Sequence, residues 1–324
     1  MSAVQNAVQA VVEAGGAEVS RLMLRIEQRM GELADGHGPV LGTHAGATIS
    51  AGGKRLRPLL VCLAAGVPAP ESERLLRAAV AVELVHGATL VHDDVLDGAS
   101  LRRGRPTVVA LGGRRAATAT GDLLFSRAFA ELAGGGSIDA VRILSRASSE
   151  LATGELMQRS DAWNLSVSLG RYLERCRLKT AVLFRAACEL GALEGGGDRL
   201  LLCTFGEQIG VAFQLLDDVL DVSGPPERTG KPRGTDLLDG TVTLPLIVAC
   251  ERDPELRSLD LRAVDGPVEA ARICDRIAAT GALGAVRERA LEMVAAAKSL
   301  LPALPGRQRV ALELVADGVV ERYS

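Results

Sequence analysis

The pentapeptide DDVLD occurs twice, at Asp93 to Asp97 and at Asp217 to Asp221, each time directly after an apolar, helix-compatible run. Residues three and four apart share a helical face. Asp93 and Asp97 therefore point the same way with Asp94 beside them, and Asp217, Asp218 and Asp221 repeat the arrangement. Like charges at this spacing cost a helix roughly 0.2 to 0.5 kcal/mol per pair, and apolar neighbours such as Val95 and Leu96 worsen their solvation. Positive charge must compensate. Hard divalent cations, magnesium above all, are held by one or two carboxylates together with water and substrate phosphates, so two such clusters facing one another would grip a metal-bound diphosphate. A solvated acidic face repeated by chance is the plain alternative. The identity of the pentapeptides and their apolar surroundings weigh against it.

A second anionic substrate needs cations of its own, and three groups are present. In GGKRLRP, Gly52 to Pro58, Lys54 and Arg57 share a helical face just after a flexible glycine pair. Arg102 and Arg103 follow Asp97 closely; Lys179 is followed by Thr180; and Lys231 lies in the loop after the second acidic motif. Arginine offers a planar fork for phosphate oxygens and lysine a mobile point charge. Taken singly each group is ordinary surface charge; placement around both acidic motifs singles them out. His86, two helical turns before Asp93 on the same face, could donate to a phosphate, against the default of a satisfied core histidine.

These residues need a scaffold. Apolar residues recur every three to four positions, and alternating strand patterns are scarce, so the fold class is all-α. Breaks at Gly15-Gly16, Gly52-Gly53, Val67 to Pro70, Gly112-Gly113, Gly134 to Gly136, Gly195 to Gly197 and Gly224 to Thr235 divide the chain into about ten to twelve helices. No break resembles an inter-domain linker. Residues 1–324 are thus expected to form a single-domain helical bundle around a deep central cavity, which brings the acidic helices together. With 48% hydrophobic and only 2% aromatic residues, the core must be Ala, Leu and Val, and no stacking platform for nucleic acid exists. A net charge of −3 offers no general polyanion surface. Six scattered cysteines indicate neither zinc nor disulfides. The N-terminus lacks a basic segment followed by an apolar one, and no run of 18 apolar residues occurs, so a cytoplasmic protein without a transmembrane segment is expected. Glu83 and His86 interrupt the apolar run Ala78 to Val91, which suits a buried helix.

GGKRLRP, LVHDDVLD, LRRG, GDLLF, KTA, FQLLDDVLD, GKPRGTD and TLPL occur in this order. From Gly52 to about Pro245 the chain resembles the trans-isoprenyl diphosphate synthases, the polyprenyl synthetase family, and Arg322 also fits. The resemblance implies a helical homodimer that condenses isopentenyl diphosphate head-to-tail onto an allylic diphosphate, farnesyl or geranylgeranyl. It implies magnesium, three ions per site, at Asp93, Asp94, Asp97, Asp217, Asp218 and Asp221. Arg102, Lys179 and Lys231 would hold the allylic diphosphate, and Lys54, Arg57, His86 and Arg103 isopentenyl diphosphate. Breaking the allylic carbon–oxygen bond leaves diphosphate and a delocalised cation, so negative charge developing on the leaving group must be stabilised. The cation needs dipoles that do not trap it, a role suited to the Thr180 hydroxyl and the Gln214 amide oxygen beside Lys179. The departing diphosphate can take the final proton, so no nucleophilic triad is required. One departure stands out: the family's loop commonly reads G-K-x-T-L-P, and here Gly240 is followed by Thr241.

Short-product members of that family place an aromatic residue four or five positions before the first aspartate, and an isoprene unit is comparable to one helical turn of about 5.4 Å. Here those positions are Ala88 and Thr89. Neither closes a cavity, so a long all-trans polyprenyl product is expected, with transient membrane contact at release. Phe125 or Phe129 would form a deeper floor, although a Phe pair at this spacing is ordinary core in most helical proteins. The alternatives are a geranylgeranyl diphosphate synthase, a non-catalytic subunit of a heteromeric synthase, and a class I terpene cyclase; the last is disfavoured by the second DDVLD and the scarcity of aromatics.

Overall fold

The computed structural model describes residues 3–34, 38–51, 53–66, 72–102, 104–224 and 232–321. Helices α1 (Ala3–Gly15), α2 (Ala17–Ala34), α3 (Gly38–Ser50), α4 (Leu56–Ala65), α5 (Glu73–Asp97) and α6 (Val108–Gly134) come first. They are followed by α7 (Ile138–Asp161), α8 (Leu169–Cys176), a π-helical turn (Arg177–Ala181), α9 (Val182–Gly195) and α10 (Arg199–Ser223). The remainder holds α11 (Thr235–Leu238), α12 (Leu244–Arg252), α13 (Pro254–Arg257), α14 (Pro267–Ala279), α15 (Ala282–Ser299) and α16 (Gly306–Glu321). Among the described residues the only sheet is a two-residue pairing of Leu101–Arg102 with Arg105–Pro106, antiparallel.

The all-helical expectation holds, but the divisions differ in detail. Gly112-Gly113 does not end a helix: α6 runs through with a kink at Gly113, φ 73° and ψ 175°. Sixteen α-helices among the described residues exceed the expected ten to twelve because the C-terminal third is cut more finely. There Asp253 accepts from the Glu255 amide and Pro254 opens α13, while Pro267 opens α14 after Gly266. A proline at the first helical position costs no hydrogen bond, so these are starts as much as stops. The Val67 to Pro70 break and residues 225–231 of the Gly224 to Thr235 break lie outside the described residues.

The chain comprises two compact units, Met1–Ser148 with Leu183–Gly206 and Leu300–Gly318, and Ser149–Val182 with Glu207–Ser299 and Val319–Ser324. In the first, α5 is the central element. Ser72 caps it, its hydroxyl accepting from the Leu75 amide at 3.2 Å, and Leu75, Ala78, Ala79, Val82 and Val85 are buried. Gly98, φ 62°, ends it directly after the first acidic motif. In the second unit, the second motif occupies the last turns of α10, and Leu215, Leu216, Val219 and Val222 around it are buried. α5 and α10 are each long and apolar enough to cross a membrane by length and composition alone. Their apolar residues, however, are largely packed within the protein, and α5 carries the buried Glu83.

Candidate active site

Both acidic motifs end their helices, and neither helix has a basic residue in its last turn. The negative end of the helix dipole meets three carboxylates in each case, an arrangement unfavourable by several tenths of a kcal/mol per charge. The sequence thus puts acid at the wrong end of two helices.

In the first copy Asp93 is half-buried, Asp97 exposed and Asp94 buried. Successive helical residues turn by about 100°, so Asp94 lies beside the Asp93/Asp97 edge, turned from it toward the packed side of the helix. The Arg102 guanidinium meets Asp94 Oδ1 through Nε and Nη2, both at 2.8 Å. Arg102 is brought there by the small hairpin, which folds back on the helix end: the Thr107 hydroxyl donates to the Ala99 carbonyl at 2.5 Å and the Ala99 amide to the Asp94 carbonyl at 3.0 Å.

The second copy buries the same aspartate with different partners. Asp217 and Asp221 are half-buried and Asp218 is buried. The Tyr172 hydroxyl donates to Asp218 Oδ2 at 2.5 Å and the Gln214 amide nitrogen to Oδ1 at 2.7 Å. The Thr180 hydroxyl in turn donates to Gln214 Oε1 at 2.6 Å. The carboxylate, an acceptor, fixes which way the Gln214 amide points. Burial, with neighbouring Asp217 adding to it, pushes the Asp218 carboxyl up to about 6 against the hydrogen bonds from Tyr172 and Gln214. Burial likewise holds the Tyr172 phenol well above its usual range, with Asp218 reinforcing it.

Lys179 and Thr180 lie on the π-helical turn, the single-turn form that recurs at functional sites. Gly154 on α7 permits it: a Cβ there would stand 2.7 Å from the Lys179 backbone nitrogen. Lys179 Nζ pairs with Glu155 Oε2 at 2.6 Å. Burial raises the Glu155 carboxyl, but Lys179 and Arg159 outweigh it, leaving it below its usual range. Thr241, where the family pattern has lysine, donates its backbone amide to the Asp236 carbonyl at 2.8 Å.

In the first unit Lys54 and Arg57 are half-buried, and the Arg57 guanidinium lies 4.7 Å over the Phe184 ring. His86 is half-buried and lines a cavity of about 280 Å³ together with Glu83, Gly87, Leu90, Val91, Asp94 and Arg102. Ala88 is fully buried and Thr89 bonds its own helix at the His86 carbonyl, 2.8 Å away; neither lines this cavity. Phe125 and Phe129 are half-buried, Phe125 stacking on His92 at 5.8 Å. Arg103 and Lys231 lie outside the described residues.

Sequence reasoning missed three residues. Tyr172, two turns before Lys179, was visible only as a tyrosine in a chain that has two. Glu83 was marked by interrupting an apolar run, which demands a buried partner. Glu155 carried no signal at all.

A family model described as polyprenyl synthetase matches residues 39–273. The chain is 46% identical over 216 residues to heptaprenyl diphosphate synthase component 2 of Geobacillus stearothermophilus, covering 66% of this chain and 67% of that protein. It is 33% identical over 315 residues to solanesyl-diphosphate synthase 2, chloroplastic, of Oryza sativa subsp. japonica, covering 94% and 78%. Among solved structures, a polyprenyl synthase from Caulobacter crescentus CB15, complexed with calcium and isoprenyl diphosphate, superposes with a TM-score of 0.89 at 36% identity over 98% of both chains.

Proposed function

The chain belongs to the polyprenyl synthetase family, and from that premise we propose that it is a prenyltransferase condensing isopentenyl diphosphate head-to-tail onto farnesyl or geranylgeranyl diphosphate to give a long all-trans polyprenyl diphosphate. The observation that carries this is the shared architecture of the two DDVLD copies: each places a half-buried or exposed aspartate pair, four residues apart, on a helix end without a basic residue in its last turn.

The donor set suits magnesium. Asp93 with Asp97 and Asp217 with Asp221 are hard oxygen donors, two per helix end, matching the open coordination that leaves room for water and phosphate; no closed cage of three or more ligands forms among the described residues. When bound, magnesium neutralises the charge developing on the diphosphate leaving group. Asp94 and Asp218 act differently, as holders: Asp94 orients Arg102 toward the allylic diphosphate, and Asp218 orients Gln214. Lys179 adds cationic charge to the leaving group, held by Glu155 until substrate arrives. Thr180 and Gln214 present oxygen dipoles to the allylic cation without a nucleophile strong enough to trap it. Lys54, Arg57, His86 and Arg103 hold isopentenyl diphosphate, and Lys231 caps the allylic diphosphate. The absent lysine at Thr241 predicts a weaker grip there.

Relatives named heptaprenyl and solanesyl synthases support the long product, as do Ala88 and Thr89, which carry no bulk. Six free cysteines support a reducing, cytoplasmic setting, and the family resemblance supports a homodimer. A second reading follows from the Geobacillus relative's being a component 2: this chain would then be one half of a two-component synthase, its two intact acidic motifs making it the catalytic one. Incubating the purified chain alone with magnesium, isopentenyl diphosphate and farnesyl diphosphate separates the two. Long polyprenyl product supports the self-sufficient enzyme; product only after a second component is added supports the other reading.

A further inference from the structure

Arg55 sits between Lys54 and Leu56, at the entry to α4, in the left-handed region with φ 47° and ψ 36°. A residue other than glycine there costs on the order of 1 to 3 kcal/mol and persists only when its surroundings fix it. They do. The guanidinium is one-tenth exposed and reaches Glu83 Oε1 at 3.0 Å, Glu27 Oε1 at 2.5 Å and Oε2 at 3.1 Å, and the Ile49 carbonyl at 2.8 Å. Glu83 is itself 7% exposed and lies one turn before His86 on α5. One fork therefore ties the turn bearing Lys54 and Arg57 to the helix bearing His86, and Arg55, Glu83 and His86 line the same cavity.

We propose that Arg55 and Glu83 are positioning residues that hold Lys54 and Arg57 in register with His86, so that the three converge on the diphosphate of isopentenyl diphosphate. This rests on the assignment of those three residues to that substrate. Neither Arg55 nor Glu83 spends its charge on substrate: the arginine is saturated by two carboxylates and a carbonyl, and Glu83 would repel a diphosphate. Their contribution is preorganisation, and its loss displaces phosphate ligands without removing one. Glu27, nearly half exposed, contributes less than Glu83.

The test is a kinetic split in the purified enzyme. In Glu83→Gln the KM for isopentenyl diphosphate should rise about tenfold, equivalent to about 1.4 kcal/mol of binding, while kcat and the KM for farnesyl diphosphate stay within about twofold. Arg55→Gly keeps the left-handed backbone without the fork and should behave alike; Arg55→Lys, lacking the fork, should not restore affinity. Glu27→Gln should give a smaller rise in the same constant. If Glu83→Gln fails to fold, Arg55→Gly carries the test. An unchanged KM for isopentenyl diphosphate, or equal losses for both substrates, overturns the proposal. Calorimetric binding of isopentenyl diphosphate keeps the two claims apart. A wild-type chain that binds but does not turn over counts against the reaction, and the same variants then decide the clamp by binding alone; a wild-type chain that does not bind overturns the clamp.

Discussion

The two DDVLD copies share every residue and bury the same aspartate, the second of each, yet that aspartate is treated in opposite ways. Asp94 is answered by a formal charge, Arg102, delivered by a hairpin. Asp218 is answered by two neutral donors, Tyr172 and Gln214, and its carboxyl is pushed up to about 6. An identical pentapeptide thus yields an ion pair in one unit and a strained hydrogen-bonded carboxyl in the other. What differs is the partner element. The first helix is followed by a basic turn, while the second packs against α8 and the π-helical turn, which supply a phenol and a threonine. On the proposed function the buried aspartates orient other groups, and the outward pairs bind the metal.

If that division is right, the outward pairs carry the largest effect. Asp97→Ala and Asp221→Ala should each lower kcat/KM by on the order of 10³-fold, equivalent to about 4 kcal/mol of transition-state stabilisation. Steady-state condensation assays check this, and a tenfold or smaller loss at either position breaks the symmetry claimed for the two copies.

The buried pair should then separate in stability. A carboxyl whose folded value is raised from 3.8 to about 6 binds more protons folded than unfolded between those pH values. Its penalty is absent below about pH 4, grows through pH 6 and is complete above it, on the order of 3 kcal/mol. In metal-free protein Asp218→Asn should therefore raise the Tm at pH 7.5 and flatten its decline between pH 4 and 6. Asp94→Asn should lower the Tm at pH 7.5 by leaving Arg102 without its carboxylate, about 2 kcal/mol after discounting the partial exposure of Arg102. Both should lose activity. Thermal melts across pH decide it, and equal shifts in the two variants would erase the contrast.

Tyr172→Phe should have a smaller effect. One Asp218 oxygen loses its donor, at about 1 to 3 kcal/mol of stability, and kcat should fall about tenfold with little change in either KM, because Asp218, the anchor of Gln214, is held by one donor fewer and no phosphate ligand is touched. The smallest effect on rate is expected from Ala88→Phe, which should shorten the product with kcat nearly kept, as read by mass analysis. An unchanged product would remove Ala88 from any ruler.

Much of this was legible in the sequence. The three-to-four-residue periodicity specified helices, and the DDVLD motifs marked where α5 and α10 carry acid, although Gly98 as the stop of α5 went unread. Which aspartate turns inward was not legible, since the pentapeptide is the same in both places and burial comes from whatever packs against it. The π-helical turn at Lys179 and Thr180 has no sequence signature of its own; Gly154, which lets α7 approach it, lies 25 residues away. Gly112-Gly113 misled because two glycines lower helix propensity by about 1 kcal/mol each, a cost that tertiary packing overrode by a kink. Glu83 was noticed as an interruption, but its partner Arg55, 28 residues earlier, could not be read from spacing.

The most direct test of the account is the binding of a non-ionisable thio analogue of farnesyl diphosphate, followed by calorimetry with and without magnesium. Binding should vanish in EDTA, return with magnesium, and weaken at least about 100-fold in Asp97→Ala and in Asp221→Ala alike, about 2.7 kcal/mol each. Equal affinity in EDTA, or a variant of either pair that binds like the wild type, would contradict it.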